Sequence, residues 1–238
     1  MKVHLSIDDV ILSLKELYET EPKSVFDITF FRDLKTYHEK YGAKFSLYSF
    51  VKYKDFLISQ IPSIYWNELI DCSEWLRFGF HGTHTKENVE RFSYFCDLFY
   101  SVVPKQIQTS TLRLHRYFST DEELRLLKAM GLTELLCRDN ESSRRLGAAP
   151  SYDLSQEEYQ LLAKKSIRKN EIIYKKTNVQ IELFDQQAIE FFLREEIKKS
   201  NEEDVFVIFT HEVQLFEKKY LIDKVIAILQ KNKVEFIF

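Results

Sequence analysis

The sequence predicts a single α/β domain over residues 1–238, wound as a distorted (β/α) barrel of about seven parallel strands with helices outside. Three observations predict it. First, β-prone runs and amphipathic helical patterns alternate over the full 238 residues, the order that produces a mostly parallel sheet. Second, chemically capable residues repeatedly follow a β-prone run: Asp8-Asp9, His81 and His84, the Arg113/His115/Arg116 group, Asp139, and His211-Glu212. In a barrel of parallel strands those C-terminal ends meet on one face. Third, Gly and Pro number only five and four, and no shift in composition marks a linker, so one core is expected rather than two.

Composition narrows the function classes. The net charge is −3 with both signs interspersed, which leaves no electrostatic footprint for nucleic acid. Cys72, Cys96 and Cys137 are an odd number at wide spacing, so they read as buried thiols and not as a disulfide frame or zinc knuckle. The N-terminus meets Asp8-Asp9 before any signal-peptide core can form, and no run approaches the roughly 18 apolar residues of a membrane span. A cytoplasmic protein without membrane or nucleic-acid partners is the expectation.

Taken in order, residues 3–7 form a short strand ending at Asp8-Asp9, and residues 10–18 place Val10, Ile11, Leu14 and Leu17 at helical spacing. Pro22 breaks that helix. A second amphipathic pattern fills 26–41 and stops at Gly42, the residue type favoured just past a helix end. Residues 44–50 alternate as a strand, and 51–73, with Pro62, suit short helices; Trp66 and Trp75 belong to the core. A buried strand over 75–78 leads into Phe78-Gly79-Phe80-His81-Gly82-Thr83-His84-Thr85, followed by a helix over 88–102 that Pro104 ends. Residues 109–117 alternate as a strand with polar Arg113, His115 and Arg116 at its end. Thr120-x-x-Glu123 is a capping box opening a helix that stops at Gly131, and Ser155-x-x-Glu158 is a second box opening a helix to about residue 166. Between them lie a strand over 132–137 and a loop over 140–152. Strands at 171–174 and 179–184, a helix over 186–199, an apolar strand over 205–210, a long helix over 215–231 and a strand over 234–238 complete the chain. Nine or more β-prone runs leave room for extra strands or for a hairpin between residues 171 and 184.

If the helix opens near Thr85, His81 and His84 fall on one turn, where two imidazoles can share an ion, and Gly79 and Gly82 allow the backbone to bend beside them. A carboxylate with two histidines makes an open set for Zn²⁺ or Fe²⁺, and a neighbouring carboxylate can take a proton from water. Each residue also has a plainer role available. Asp8-Asp9 could cap the first helix, His211 could sit in the core on a backbone carbonyl, Arg113 and Arg116 could pair with surface acids, and Asp139 could begin a turn. His4 and His38 read as structural or surface residues.

Motif order resembles the polysaccharide deacetylases of the carbohydrate-esterase type, a family with a distorted, incomplete (β/α) barrel. Leu5-Ser6-Ile7-Asp8-Asp9-Val10 is similar to its strand ending in Asp-Asp, with Val10 in place of a glycine. His81-Gly82-Thr83-His84 is similar to its two-histidine motif with a spacing one residue shorter. Arg113-Leu114-His115-Arg116-Tyr117-Phe118 has the arginines of its third motif without the prolines, and Val207-Ile208-Phe209-Thr210-His211-Glu212 is similar to its final strand and histidine. The resemblance implies a zinc site of Asp9, His81 and His84, with His115 in reserve as third ligand. It implies Asp8 as base, His211 as acid and Arg113 or Arg116 orienting Asp8. The implied reaction is removal of an N-acetyl or related acyl group from a sugar or sugar-like substrate, a soluble glycoconjugate or small amide. The alternative is a barrel without turnover that binds a carbohydrate or a partner.

Overall fold

One buried strand organises the architecture. In a computed structural model describing residues 1–83, 89–138, 150–162, 164–199 and 205–238, β1 (Lys2–Val10) is buried along nearly all its length. Period-two alternation gives it two different faces: Val3, Leu5 and Ile7 join the large apolar core, while buried His4, Ser6 and Asp8 face the other way. Parallel strands flank it, as a strand buried on both faces requires. β11 (Val205–His211) runs alongside from Lys2↔Val205 to Asp8↔His211. The opposite edge is shared, with β12 (Glu235–Ile237) beside residues 2–4 and β2 (Phe45–Phe50) beside the C-terminal half.

β5 (Leu76–Gly82) pairs parallel to β2, and a parallel bridge between Phe78 and Gln108 carries the wall on to β6 (Thr111–Leu112). β6, β7 (Glu134–Leu136) and β9 (Ile172–Lys175) continue in parallel, and the chain then runs from β9 into β10 (Val179–Gln180), which pairs with β11. The wall is therefore two ladders joined by a segment that changes partners, not one closed barrel. Counting β9 and β10 as that single segment and setting aside the short β12, seven parallel strands among the described residues surround an interior, in agreement with the expected fold class. Tyr48, Leu136 and Val207, from β2, β7 and β11, form a small apolar cluster separate from the main core.

Among the described residues, helices α1 (Leu12–Thr20), α2 (Thr29–Tyr41), α3 (Ser63–Ile70), α4 (Val89–Val102), α5 (Asp121–Ala129), α6 (Gln156–Leu162), α7 (Gln186–Lys199), α8 (Glu212–Glu217) and α9 (Lys219–Lys231) complete the fold. The Gly42 stop holds: it takes φ 66 and its N–H donates to the His38 carbonyl. Both atoms pairs of the Thr120/Glu123 capping box are formed. Trp66 and Trp75 are core residues, and the three cysteines are free and buried. No described helix is long and apolar enough to cross a membrane.

Several expected elements are corrected. The strand over 109–117 shrinks to β6, because Arg116 and Tyr117 take left-handed backbone (φ 61 and 56) and fold residues 115–117 into a 3-10 turn. The strand over 179–184 is β10 followed by a 3-10 turn at Ile181–Leu183. The hairpin lies earlier than residues 171–184: β8 (Ile167–Lys169) pairs antiparallel with β9 across Asn170 and Glu171, both at positive φ as a two-residue I′ turn demands. A small hairpin of β3 (Lys52–Tyr53) and β4 (Phe56–Leu57) falls within the expected helical stretch. The long C-terminal helix is split at Lys218 into α8 and α9.

Candidate active site

The C-terminal ends of β1, β5 and β11 and the turn after β6 bring the predicted residues together. Asp8 and Asp9 come first. On a regular strand neighbours point to opposite faces, so both could not serve one pocket. β1 solves this with a register shift against β2 between Ile7 and Val10, and with Asp9 in the left-handed region at φ 59. Asp8 keeps its interior direction and Asp9 is turned to face β5.

His81 lies in β5, not on the helical turn expected around Thr85, and is 3% exposed. Its Nδ1–H donates to the Arg113 carbonyl, which fixes the tautomer, and its Nε2 stands 3.1 Å from Asp9 Oδ1. His115, on the 3-10 turn, brings Nδ1 to 3.4 Å from the same oxygen. Phe50 packs against both rings, at 5.1 and 5.0 Å between centroids. Ligand atoms of Asp9, His81 and His115 all lie within 4.8 Å of one another, a candidate metal site. With Nδ1 protonated, a neutral His81 aims a lone pair at the Asp9 carboxylate, an arrangement that a shared proton or a cation relieves. The donor set therefore fits a divalent ion. Burial opposes ionisation of Asp9, yet hydrogen bonding with His115 and His81 and the charges of protonated His81 and His211 hold its carboxyl well below the ordinary range. His84 and Asp139 lie outside the described residues.

Arg113 is fully buried inside the barrel. Its guanidinium donates to Ser6 Oγ (2.9 Å), Asp8 Oδ1 (2.9 Å) and Thr177 Oγ1 (3.1 Å) and lies 4.2 Å over the Phe209 ring. It thereby ties β1 to the segment joining the two ladders. Arg113, and not the exposed Arg116, reaches Asp8. Deeper in the interior, His4 sits 3.3 Å from Tyr48 Oη and is pushed down to about 3 by burial and the charges of Arg113 and Lys175, so it is a neutral structural group. Gly79 is explained by the same ring: a Cβ there would meet two Tyr48 atoms at 2.7 Å.

His211 is half-buried and hydrogen-bonded through Nδ1 to Glu182. Burial disfavours its charged form, but the Glu182 bond and the carboxylates of Asp8, Glu182 and Asp9 outweigh it and lift His211 to about 9. Glu182, pushed up by burial, is pulled further down by His211 and ends below its ordinary range. Its neighbour Glu212 is completely buried and reaches across to α1, accepting the backbone N–H groups of Ile11 and Leu12 on one oxygen (2.9 and 2.7 Å) and Ser13 on the other (2.7 Å). The first helix is thus capped by Glu212, not by Asp8-Asp9, which frees both aspartates.

A cleft of ≈270 Å³ opens beside His81 and His115, between β5, the turn at residues 115–117 and helices α4 and α5. Phe92, Leu114 and Phe118 contribute its apolar surface, and Arg116 also lines it.

Sequence comparison finds no matching protein family and no matching curated protein. Solved structures do match. The chain is similar to 4-α-glucanotransferase from Thermococcus litoralis at TM-score 0.60 and 12% identity, over 99% of this chain and 37% of that one. It is also similar to WbmS from Bordetella bronchiseptica, provisionally described as a polysaccharide deacetylase involved in O-antigen biosynthesis. Here the TM-score is 0.51 and the identity 10%, over 94% of this chain and 89% of that one. The chain thus spans little more than a third of the glucanotransferase's length. At these identities the likeness is one of fold alone.

Glu182, Ser6, Thr177 and the clamping role of Glu212 were not foreseen. Ser6 was readable, since His4, Ser6 and Asp8 put a polar stripe on an otherwise apolar strand. Glu182 carried no local signal, because its pairing with His211 spans 29 residues.

Proposed function

We propose that the chain is a metal-dependent amidohydrolase of the polysaccharide-deacetylase type, removing an N-acyl group from a sugar or sugar-like substrate. The observation that carries this is the convergence of three units at one barrel mouth: the Asp9/His81/His115 cluster, the Asp8–Arg113 pair and the His211–Glu182 pair. The fold shared with WbmS supports the same reading. Asp9, His81 and His115 would hold the ion, with zinc favoured by two imidazoles and one carboxylate. A bound divalent ion at such a site acidifies water and polarises an acyl oxygen.

The chain's own residues then supply the proton traffic. Asp8, fixed by Arg113, is placed to take the proton of a water as its oxygen bonds to the acyl carbon. His211, held charged at neutral pH by Glu182, is placed to protonate the nitrogen as the C–N bond breaks. The products are a carboxylate and a free amine. Arg116, exposed at the cleft, is assigned to substrate contact instead of to orienting Asp8.

Two measurements test this. Protein purified without chelator should carry about one equivalent of metal, lost in His115→Ala and His81→Ala. Acyl release from N-acylated sugars and small amides should need that metal and drop about 10²- to 10⁴-fold in Asp8→Asn and His211→Ala. A metal-free protein, or metal-independent release, would sink the proposal; saturable sugar binding with no release would favour the binding module instead.

A further inference from the structure

We infer that the cleft beside His81 and His115 is an acyl-chain subsite, so that the preferred substrates carry an N-acyl group longer than acetyl. This rests on the amidohydrolase reading above, and it commits that site to a substrate class.

Strand order sets the direction. Along the wall the sequence is β10, β11, β1, β2, β5, then β6, so His211 and Glu182 stand on one flank of Asp8 and Asp9 while His81 and His115 stand on the other. His211 is the group that can protonate a departing nitrogen, so the amine belongs on the β11 flank. The acyl carbon lies between them, and whatever the acyl group carries extends towards the β5 and β6 flank, where the cleft opens.

Size and chemistry say what fits. One water occupies about 30 Å³ in the liquid, so ≈270 Å³ holds about nine groups of water or methyl size. An acetyl methyl would leave most of it unfilled. A sugar ring would bring hydroxyls that need partners, and four of the polar residues lining the cleft already have theirs. His81 and His115 face Asp9, while Thr120 and Glu123 satisfy each other in both directions of the capping box. Phe92, Leu114 and Phe118 give the cleft an apolar surface suited to an alkyl chain, with the exposed Arg116 beside it.

The test is a chain-length series from acetyl through butanoyl and hexanoyl to octanoyl, run in two forms on the whole protein. N-acylglucosamines report turnover, and straight-chain hydroxamic acids titrated calorimetrically into zinc-loaded protein report binding without turnover. From acetyl to hexanoyl, kcat/KM and hydroxamate affinity should each rise at least tenfold, about two- to fourfold per methylene. In Phe118→Ala the gain from acetyl to hexanoyl should shrink at least threefold; if that variant does not fold, the wild-type series alone decides. Acetyl release with a flat or falling series overturns the subsite and leaves the amidohydrolase reading standing. A rising hydroxamate series with no turnover on any substrate supports the subsite and counts against the hydrolase. No rise and no turnover removes both.

Discussion

Removing the Glu212 carboxylate should loosen the whole site without touching any group that faces it. Glu212→Ala deletes acceptors at 2.9, 2.7 and 2.7 Å from the N–H groups of Ile11, Leu12 and Ser13. Hydrogen bonds to a charged acceptor contribute about 1.5–3 kcal/mol each, but the sum overstates the loss because burying the carboxylate itself costs free energy. Leu12 is 39% exposed, so water can satisfy its N–H, whereas Ile11 and Ser13 are each 2% exposed and would keep orphaned donors. Two buried unsatisfied groups at about 1–3 kcal/mol each put the net cost near ~3 kcal/mol. For a chain of this size that corresponds to a melting point lower by about 6–12 °C. Glu212→Gln keeps one accepting oxygen and opposes an NH₂ to the remaining N–H, so it should fall between Ala and wild type. The same clamp anchors the chain just past Asp9, whose left-handed backbone must be held from both sides. Zinc affinity, measured by competition with a chromophoric chelator, should therefore weaken about tenfold in Glu212→Ala. An Ala variant melting within about 2 °C of wild type with unchanged zinc affinity would refute the clamp.

Gly79→Ala should destabilise by about 1–3 kcal/mol, since its Cβ would press on the Tyr48 ring from 2.7 Å inside a filled barrel; chemical unfolding measures it, and an unchanged midpoint would count against the packing described. The His211–Glu182 pair should shape both pH profiles. His211 is raised from 6.5 to about 9, so its stabilisation is complete below about pH 6.5 and is lost as pH rises through about 9, while the lowered Glu182 contributes above its ordinary range and loses its share on acidification. Turnover should fall along an alkaline limb at or below about pH 9, since an ion at Asp9 offsets part of the carboxylate field, and Glu182→Gln should move that limb to lower pH; a limb at the same pH in both proteins would exclude Glu182 as the partner that sets it.

How much of this was legible depends on the distance over which each feature is decided. Strand–helix alternation and capping boxes are local, and Thr120/Glu123 and Gly42 took their expected roles residue by residue. The turn after β6 was misread as strand because alternation over 109–117 persists through Arg116 and Tyr117, and only their left-handed backbone, an uncommon state for such residues, bends His115 back towards Asp9. His115 thus joins the candidate metal cluster from a conformation the pattern could not show. Contacts across the barrel were invisible for a different reason: Arg113 to Asp8 spans 105 positions and Glu212 to Ile11 spans 201, so nothing near either residue announces its partner.

The Asp8-Asp9 pair joins these two scales. Adjacent residues on a strand diverge by half a turn, so a motif of two aspartates can serve one pocket only if the strand is broken between them. The break costs free energy in a non-glycine residue at φ 59, of the order of 1–3 kcal/mol, and it persists only where the surroundings over-determine it. Those surroundings are identifiable. Arg113 fixes Asp8 from inside the barrel, His81 and His115 draw Asp9 outward, and Glu212 grips the three backbone N–H groups that follow. Each of these belongs to a different part of the chain, so the strain at Asp9 is maintained by the two ladders together. A chain that folded β1, β2 and β5 without β6 or β11 would let Asp9 relax to regular strand, and the cluster would lose the ligand that its two histidines share.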